Sequence, residues 1–465
     1  MNQVGTEAQP LRVAVIGAGP AGFYTAERLF KQKDLVVEVD MFDRLPTPYG
    51  LVRAGVAPDH QKIKSVTKVF DRVAGNIGFR FFGYVEIGRD IDLADLEKHY
   101  HQIVYATGAQ TDRRLNIPGI DLAGSHAATS FVAWYNGHPD YRDLEFDLSV
   151  ESAAVIGIGN VAVDVARILC RTPDELEETD IADHALEALR ASRVKDVYML
   201  GRRGPAQGKF TSPELKELGE MSDADLIILP EEAQLDELSE QSLATADRGT
   251  LRQVEIINDF AGRPASTRSR RLHLRFLVSP TELCDDGDGR VSTMRIVRNE
   301  LYATSAGTLR SRATDNHESI DVGLVFRAVG YRGVPIPGVP FYDDWGVILN
   351  VNGRVVETDT QRPRIGHYTA GWIKRGPSGV IGTNKPDAAE TVEQMLSDLS
   401  ESRLLKPPSP TAEAAGKLIK DRQPEFFSFD DWRRLDQLEI ERGQMIGRPR
   451  VKFTRIADML AAKQS

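Results

Sequence analysis

Residues 12–22 read RVAVIGAGPAG, and the fold follows from this stretch. RVAVIG is a short, apolar, β-branched run of the kind that forms a buried parallel strand. Gly17-Ala-Gly19-Pro-Ala-Gly22 follows at once, then the helix-like FYTAERLFK, then a second apolar run, VVEVDMF, which ends at Asp43. Strand, glycine turn, helix, strand and terminal acid are the context in which a dinucleotide fingerprint has meaning. Gly17 permits the tight turn, Gly19 lets backbone approach a pyrophosphate, and Gly22 lets helix pack on strand. The helix start offers unpaired amides and partial positive charge to phosphates. Asp43 stands where a carboxylate can accept hydrogen bonds from ribose hydroxyls.

The pattern recurs in SAAVIGIGNVAVDVARIL at 152–169, with Gly157-x-Gly159-x-x-Ala162 as its turn. Alanine is tolerated at the third position. The expected second strand, KDVYML at 195–200, comes late and ends in Gly201-Arg202-Arg203-Gly204 instead of an acid. A carboxylate there would repel the 2′-phosphate of NADP, whereas guanidiniums donate charge-assisted hydrogen bonds to it. Such bonds are worth about 1.5–3 kcal/mol each. The second unit therefore predicts NADP over NAD. Glu214 could bind a ribose hydroxyl or simply cap the helix it opens.

Three further stretches extend the plan. HQIVYATGA at 101–109 and LVFRAVGY at 324–331 are strands running into glycine turns. HYTAGWIKRGPSGVIGTNKPDAAETVEQMLSDL at 367–399 is a strand, a glycine-rich loop and a helix with Pro386 in its first turn. Amides of that loop could face the pyrimidine end of a flavin, with Trp372 either stacking beside the ring or packing in the core. The expected fold class is α/β, with two Rossmann-like dinucleotide-binding domains and the NADP domain inserted into the FAD domain. The expected boundaries are 1–110 for the first part of the FAD domain, 111–325 for the NADP domain, and 326–465 for the remainder. That remainder ends in a helical appendage containing FFSFDDW.

Composition narrows the function classes. A chain of 465 residues with 41% hydrophobic and 27% charged residues is ordinary globular protein. Its net charge of −10 argues against general nucleic-acid binding. No run reaches the roughly 18 apolar residues of a membrane helix. The opening MNQVGTEAQP resembles neither a secretory signal nor a presequence, so a cytoplasmic location is expected. Cys170 and Cys284 are the only cysteines and form no CxxC pair, which excludes a cysteine-held cluster or a thioredoxin-type disulfide. Electron transfer in this chain must rely on bound cofactors.

Taken together, GAGPAGFYTAERL, PTPYGLVRAGVAPDHQ, FVAWYNG, GNVAVDVARIL, GRRGPAQGKFTSPEL and GWIKRGPSGVIGTN resemble the NADPH–ferredoxin reductases of the adrenodoxin-reductase type, over nearly the whole chain. The resemblance implies FAD contacts from Ala21, Asp43, Leu51, Ile87, Trp372, Gly379, Val380 and Ile381. It implies NADP contacts from Ile158, Gly159, Asn160, Val161, Arg202, Arg203, Glu214 and Gly379. Asp43 stands where the family more usually has glutamate. His60 and Asp164 match positions near the flavin and the nicotinamide, where catalytic roles are conceivable. A structural histidine is the alternative.

The implied activity passes electrons from NADPH through FAD to a ferredoxin-type iron–sulfur carrier. It requires the nicotinamide to stack on the flavin across a cleft, with no nucleophile and no metal ion. A flavin monooxygenase, a reductase subunit of a larger complex and a non-catalytic NADP sensor share parts of the plan. Oxygen-dependent turnover, a copurifying partner, or flavin that NADPH leaves unbleached would mark each. Ferredoxins are usually acidic, so positive charge near the flavin edge is expected. Arg263, Arg268, Arg270, Arg271 and Arg275 crowd a stretch without acids and suggest a docking site, together with Lys374 and Arg375.

Overall fold

The computed structural model describes residues 4–264 and 266–464. It divides into two compact α/β units. The first comprises Met1–Val56, His60–Thr111 and Gly330–Ser465. Its central sheet carries, among the described residues, five parallel strands in the order Pro363–Thr369, Gln102–Tyr105, Leu11–Ile16, Val37–Asp43 and Phe79–Gly83. The hairpin of Asn350–Val351 and Arg354–Val356 extends one edge. Every residue of Leu11–Ile16 is buried, as a parallel strand covered on both faces must be.

The strand's alternating side chains feed two cores. Val13 and Val15 join Phe23, Phe70, Met395 and Trp432 on one face. Ala14 and Ile16 join Phe42, Phe82, Tyr100 and Ile373 on the other. The C-terminal segment serves both faces. Helix Phe429–Gln444 contributes Trp432 and Leu435 to the first core, and helix Ala412–Arg422 contributes Ala415 and Ile419 to the second. Phe427 pairs with Gly83 through two 2.8 Å backbone bonds, which closes the far edge of the sheet.

The second unit comprises Ala57–Asp59 and Asp112–Val329. Its parallel sheet runs Ser125–Ala127, Leu324–Arg327, Ser152–Ile156, Asp196–Leu200, Arg270–Arg275 and Ala224–Ile227. An antiparallel meander of Val278–Asp285, Val291–Ala303 and Leu309–Asp321 lies alongside. The unit ends at Val329 and not at the expected 325, because Leu324–Arg327 pairs with Ser152–Ile156 down to Arg327 opposite Ile156. No helix among the described residues is long and apolar enough to cross a membrane. Cys170 is buried, which pushes its thiol up to about 12, as suits a small core residue.

Candidate functional site

The first turn is shaped by backbone crowding. Gly17 has φ of 110°, and a side chain there would strike the carbonyl of Ala106, just beyond the Gln102–Tyr105 strand. Helix Pro20–Phe30 begins at Gly19 without a side-chain cap, so its first amides remain available. The PTPYG stretch crosses this turn. A Cβ on Gly50 would lie 3.1 Å from the Gly19 Cα, tight enough that one backbone would have to give way. Asp43 folds back onto the loop, its two oxygens accepting the Ala18 and Leu45 amides at 3.0 Å each. Burial pushes its carboxyl upward, and the two amides partly offset that. Thr107 Oγ1 is buried here with no partner, an acceptor and donor left for a ligand.

The 367–399 block joins this site. Gly371, with φ of 82°, abuts Ala21: a Cβ on the glycine would lie 2.5 Å from that of the alanine. The Gly371 amide donates to Asp387 at 2.5 Å, and Asp387 also takes Lys374 at 3.2 Å and Arg375 at 3.4 Å. Trp372 donates its indole N–H to the Ser378 carbonyl at 3.2 Å and leans on Tyr331, ring centres 5.4 Å apart. Gly379 and Val380 are exposed at the loop tip, and Ile381 packs against the core. Leu51 opens the short helix Leu51–Ala54 just after Gly50. Ile87 is buried with Phe42 and Phe82.

Sequence reasoning missed the support behind this loop. Glu439, fully buried on helix Phe429–Gln444, accepts Arg53 at 2.8 and 2.5 Å and the Phe453 amide at 2.8 Å. Burial would raise its carboxyl, but Arg53 and then Arg450 hold it below the ordinary range. The Arg53 guanidinium also lies 5.0 Å from the Trp432 ring centre. No local signal marks Glu439 in a stretch of alternating charges.

The second turn repeats the first. Gly157 has φ of 129°, and a side chain would strike the carbonyl of Ala328, just past Leu324–Arg327. Helix Asn160–Cys170 starts at Gly159, again without a side-chain cap. Asn160 Oδ1 is buried and unpartnered. The Ile158 side chain packs on Gly201, and Val161 is half-buried at the helix start. Arg202 and Arg203 have no carboxylate partner among the described residues. Partial burial, and then the adjoining Arg202 charge, press the Arg203 guanidinium below its ordinary value. An uncompensated guanidinium pair is an anion site in waiting.

Three predicted residues have structural engagements. Glu214 completes a capping box, its Oε2 accepting the Thr211 amide at 2.8 Å and hydroxyl at 2.9 Å. Asp164 pairs with Arg167 at 2.7 Å, and Arg167 also holds Asp59 at 2.7 Å. His60, half-buried, precedes the short helix Gln61–Lys64.

The arginine-rich stretch requires a correction. Arg275 is buried in bridges to Glu232 and Glu318 at 2.8 Å each. Arg271 pairs with Asp196, Arg268 with Asp225 at 3.8 Å, and Arg263 with Asp259 at 2.8 Å. Arg270 donates to the carbonyls of Cys170 and Arg171. The segment is acid-free in sequence, but the sheet surrounds it with acids from other elements. Arg270 and Arg271 also begin their strand, at the end of the parallel sheet opposite the Gly157 turn. Lys374 is likewise buried, against Asp387 and Glu390.

Comparison with known proteins agrees with this geometry. The pyridine nucleotide-disulphide oxidoreductase family matches residues 11–201. The chain is 43% identical over 453 residues to "NADPH-ferredoxin reductase FprA" of Mycobacterium leprae, covering 96% of this chain and 97% of that one. It is 44% identical to a "Probable ferredoxin/ferredoxin--NADP reductase" of Mycobacterium bovis, covering all of this chain and 77% of the other. The mitochondrial "NADPH:adrenodoxin oxidoreductase" of Arabidopsis thaliana is 38% identical, with 98% and 96% covered. The solved structure of Mycobacterium tuberculosis FprA in complex with NADPH matches with a TM-score of 0.93 at 42% identity, covering 98% of this chain and all of that one. The chain belongs to the NADPH–ferredoxin reductases of the adrenodoxin-reductase type.

Proposed function

We propose that this chain is a ferredoxin–NADP+ reductase that takes FAD in the first unit and NADP(H) in the second. The observation that carries the reading is the unpaired Arg202–Arg203 turn, in a chain alike from end to end to reductases of that name. When bound, the flavin accepts electrons in pairs from NADPH and releases them singly to a one-electron iron–sulfur carrier. The chain supplies the binding. Gly17, Gly19 and Gly22 admit the FAD pyrophosphate, Asp43 and Thr107 offer polar contacts, and Ala21, Leu51, Ile87 and Trp372 line the remainder. The amides of Gly379, Val380 and Ile381 support the flavin's pyrimidine end, and Gly379 also meets the coenzyme. On the second turn, Ile158 to Val161 hold the NADP pyrophosphate while Arg202 and Arg203 take its 2′-phosphate. His60 belongs with the flavin of the first unit and Asp164, fixed by Arg167, with the nicotinamide of the second.

Carrier docking at the arginine stretch draws on the exposed Arg263, Arg268 and Arg271 with Arg270 beside them. Arg275 is occupied by its own bridges. Reversing Arg268, Arg270 and Arg271 to Glu separates the possibilities: slower ferredoxin reduction with intact flavin reduction supports docking there, and an unchanged rate removes it.

The function itself is tested by anaerobic titration of the flavin-loaded protein with NADPH. NADPH should bleach the flavin band, and an oxidised ferredoxin should then restore it. Flavin left unbleached would end the reading. Oxygen-consuming turnover of an added substrate would favour a monooxygenase.

A further inference from the structure

Two like-charged guanidiniums on adjacent residues repel each other, so something other than their side chains must hold the Gly201–Gly204 turn in place. The backbone supplies it. The Gly201 carbonyl accepts the Val278 amide at 3.0 Å, and the Arg203 carbonyl accepts the Leu277 amide at 3.2 Å. The carbonyl between them, that of Arg202, is taken by a side chain: Asn299 Nδ2 donates to it at 2.9 Å. Asn299 is only 8% exposed, and its Nδ2 also donates to Ser279 Oγ at 2.8 Å. Its own amide donates to the Leu277 carbonyl at 2.7 Å. Leu277 itself sits at φ of 54°, a left-handed conformation unfavourable to leucine. A crossover that holds an outlier in place is overdetermined by its surroundings. Three consecutive carbonyls of the turn are therefore held by the sheet-to-meander crossover, which leaves the Arg202 side chain exposed and that of Arg203 half-buried.

We infer that Asn299 is a positioning residue for coenzyme selection: by fixing the Arg202 carbonyl it aims Arg202 and Arg203 together at the 2′-phosphate of NADP(H). This rests on the reading of that arginine pair given above. Asn299 lies 97 residues along the chain from Arg202. The inference assigns it no contact with the coenzyme.

The test compares Asn299→Asp and Asn299→Ala with Arg202→Ala/Arg203→Ala in the flavin-loaded protein. Asn299→Ala removes the donor without adding charge, and Asn299→Asp keeps the volume while setting a carboxylate against the Arg202 carbonyl. Losing one such bond should raise the Michaelis constant for NADPH about fivefold. The Michaelis constant for NADH and the turnover rate at saturating NADPH should stay unchanged. Calorimetry should find adenosine 2′,5′-bisphosphate bound about fivefold more weakly and 5′-AMP bound as before, a readout independent of turnover. Ser279→Ala, which leaves the bond to Arg202 in place, should keep the wild-type preference. Equal weakening for both coenzymes would make Asn299 a general structural residue and overturn the inference, as would an unaltered preference in both Asn299 variants. If the double arginine variant also keeps its NADPH preference, the reading of the turn fails first and the inference falls with it.

Discussion

At the end of its second strand the first unit has a carboxylate folded back onto its own glycine loop, whereas the second unit has two guanidiniums with no carboxylate partner among the described residues. Asp43 accepts the amides of Ala18 and Leu45. Arg202 is exposed and Arg203 half-buried, and their carbonyls accept the Asn299 side chain and the Leu277 amide. The scaffolds are otherwise close copies. Each first glycine presses on the carbonyl of a residue just beyond the neighbouring strand, Ala106 in one case and Ala328 in the other. Each helix starts without a side-chain cap, and each turn has a buried polar atom without a partner, Thr107 Oγ1 or Asn160 Oδ1. The fold thus supplies a generic pyrophosphate cradle. The charge at one strand end decides which ribose is read.

The strongest way to break this comparison is to remove the second unit's charge. Arg202→Ala/Arg203→Ala should raise the Michaelis constant for NADPH by about two to four orders of magnitude, from two charge-assisted bonds of about 1.5–3 kcal/mol each. NADH kinetics should change little. Equal losses with both coenzymes would make the arginines structural.

A smaller effect separates the two helix approaches. Gly22 lies so close to the Gly17 carbonyl that any Cβ would collide with it, while Ala162 is accommodated fully buried at the matching position. Gly22→Ala should therefore loosen FAD by about ten- to a hundredfold, following an overpacking penalty of about 1–3 kcal/mol. Ala162→Gly should spare coenzyme binding and lower stability by about 1 kcal/mol. Flavin retained per chain after gel filtration and thermal midpoints measure the pair. A Gly22→Ala protein that keeps its flavin would show that the helix can shift without penalty.

Asp43→Asn tests the folded-back acid. An amide can accept from either Ala18 or Leu45, but its NH2 then confronts the other donor. One unsatisfied donor costs about 1–3 kcal/mol, so flavin should dissociate about tenfold more readily. Unchanged retention would place the carboxylate outside the flavin's support.

Much of this was legible in the sequence because the signals are local. An apolar run, a glycine at fixed offset and a helix start occupy about ten consecutive residues, and they located both turns. That the 367–399 strand and helix complete the first unit was legible as motif order. What stayed hidden depends on sheet neighbours. Arg263, Arg268, Arg270, Arg271 and Arg275 look unopposed along the chain, yet Asp196, Asp225 and Glu232 come from other elements to meet most of them. Asn299 and Glu439 act on residues far away through a single amide or carboxylate, and no periodicity announces such a bond. The domain end at Val329 depended on which sheet claims Leu324–Arg327, and strand pairing decides that.

The smallest expected effect concerns Glu214, for which the sequence left two roles open. The structure commits one oxygen, Oε2, to the Thr211 amide and hydroxyl, and helix Ser212–Gly219 starts there. Glutamine can occupy that place in a capping box as well as glutamate, whereas alanine cannot. Glu214→Gln should therefore leave the thermal midpoint unchanged, while Glu214→Ala should cost about 1 kcal/mol, the usual loss of a cap. The coenzyme readout is separate. A carboxylate whose other oxygen accepts a ribose hydroxyl makes a charge-assisted bond; in glutamine, with its oxygen kept on Thr211, an NH2 stands in that place and can only donate to the hydroxyl oxygen. Glu214→Gln should then raise the Michaelis constants for NADPH and NADH together, by about two- to fivefold, because both coenzymes share that ribose geometry apart from the 2′ position. A variant with an unchanged midpoint and unchanged constants would leave Glu214 as a helix cap only. The second unit would then read its coenzyme through the arginine pair and the glycine turn alone.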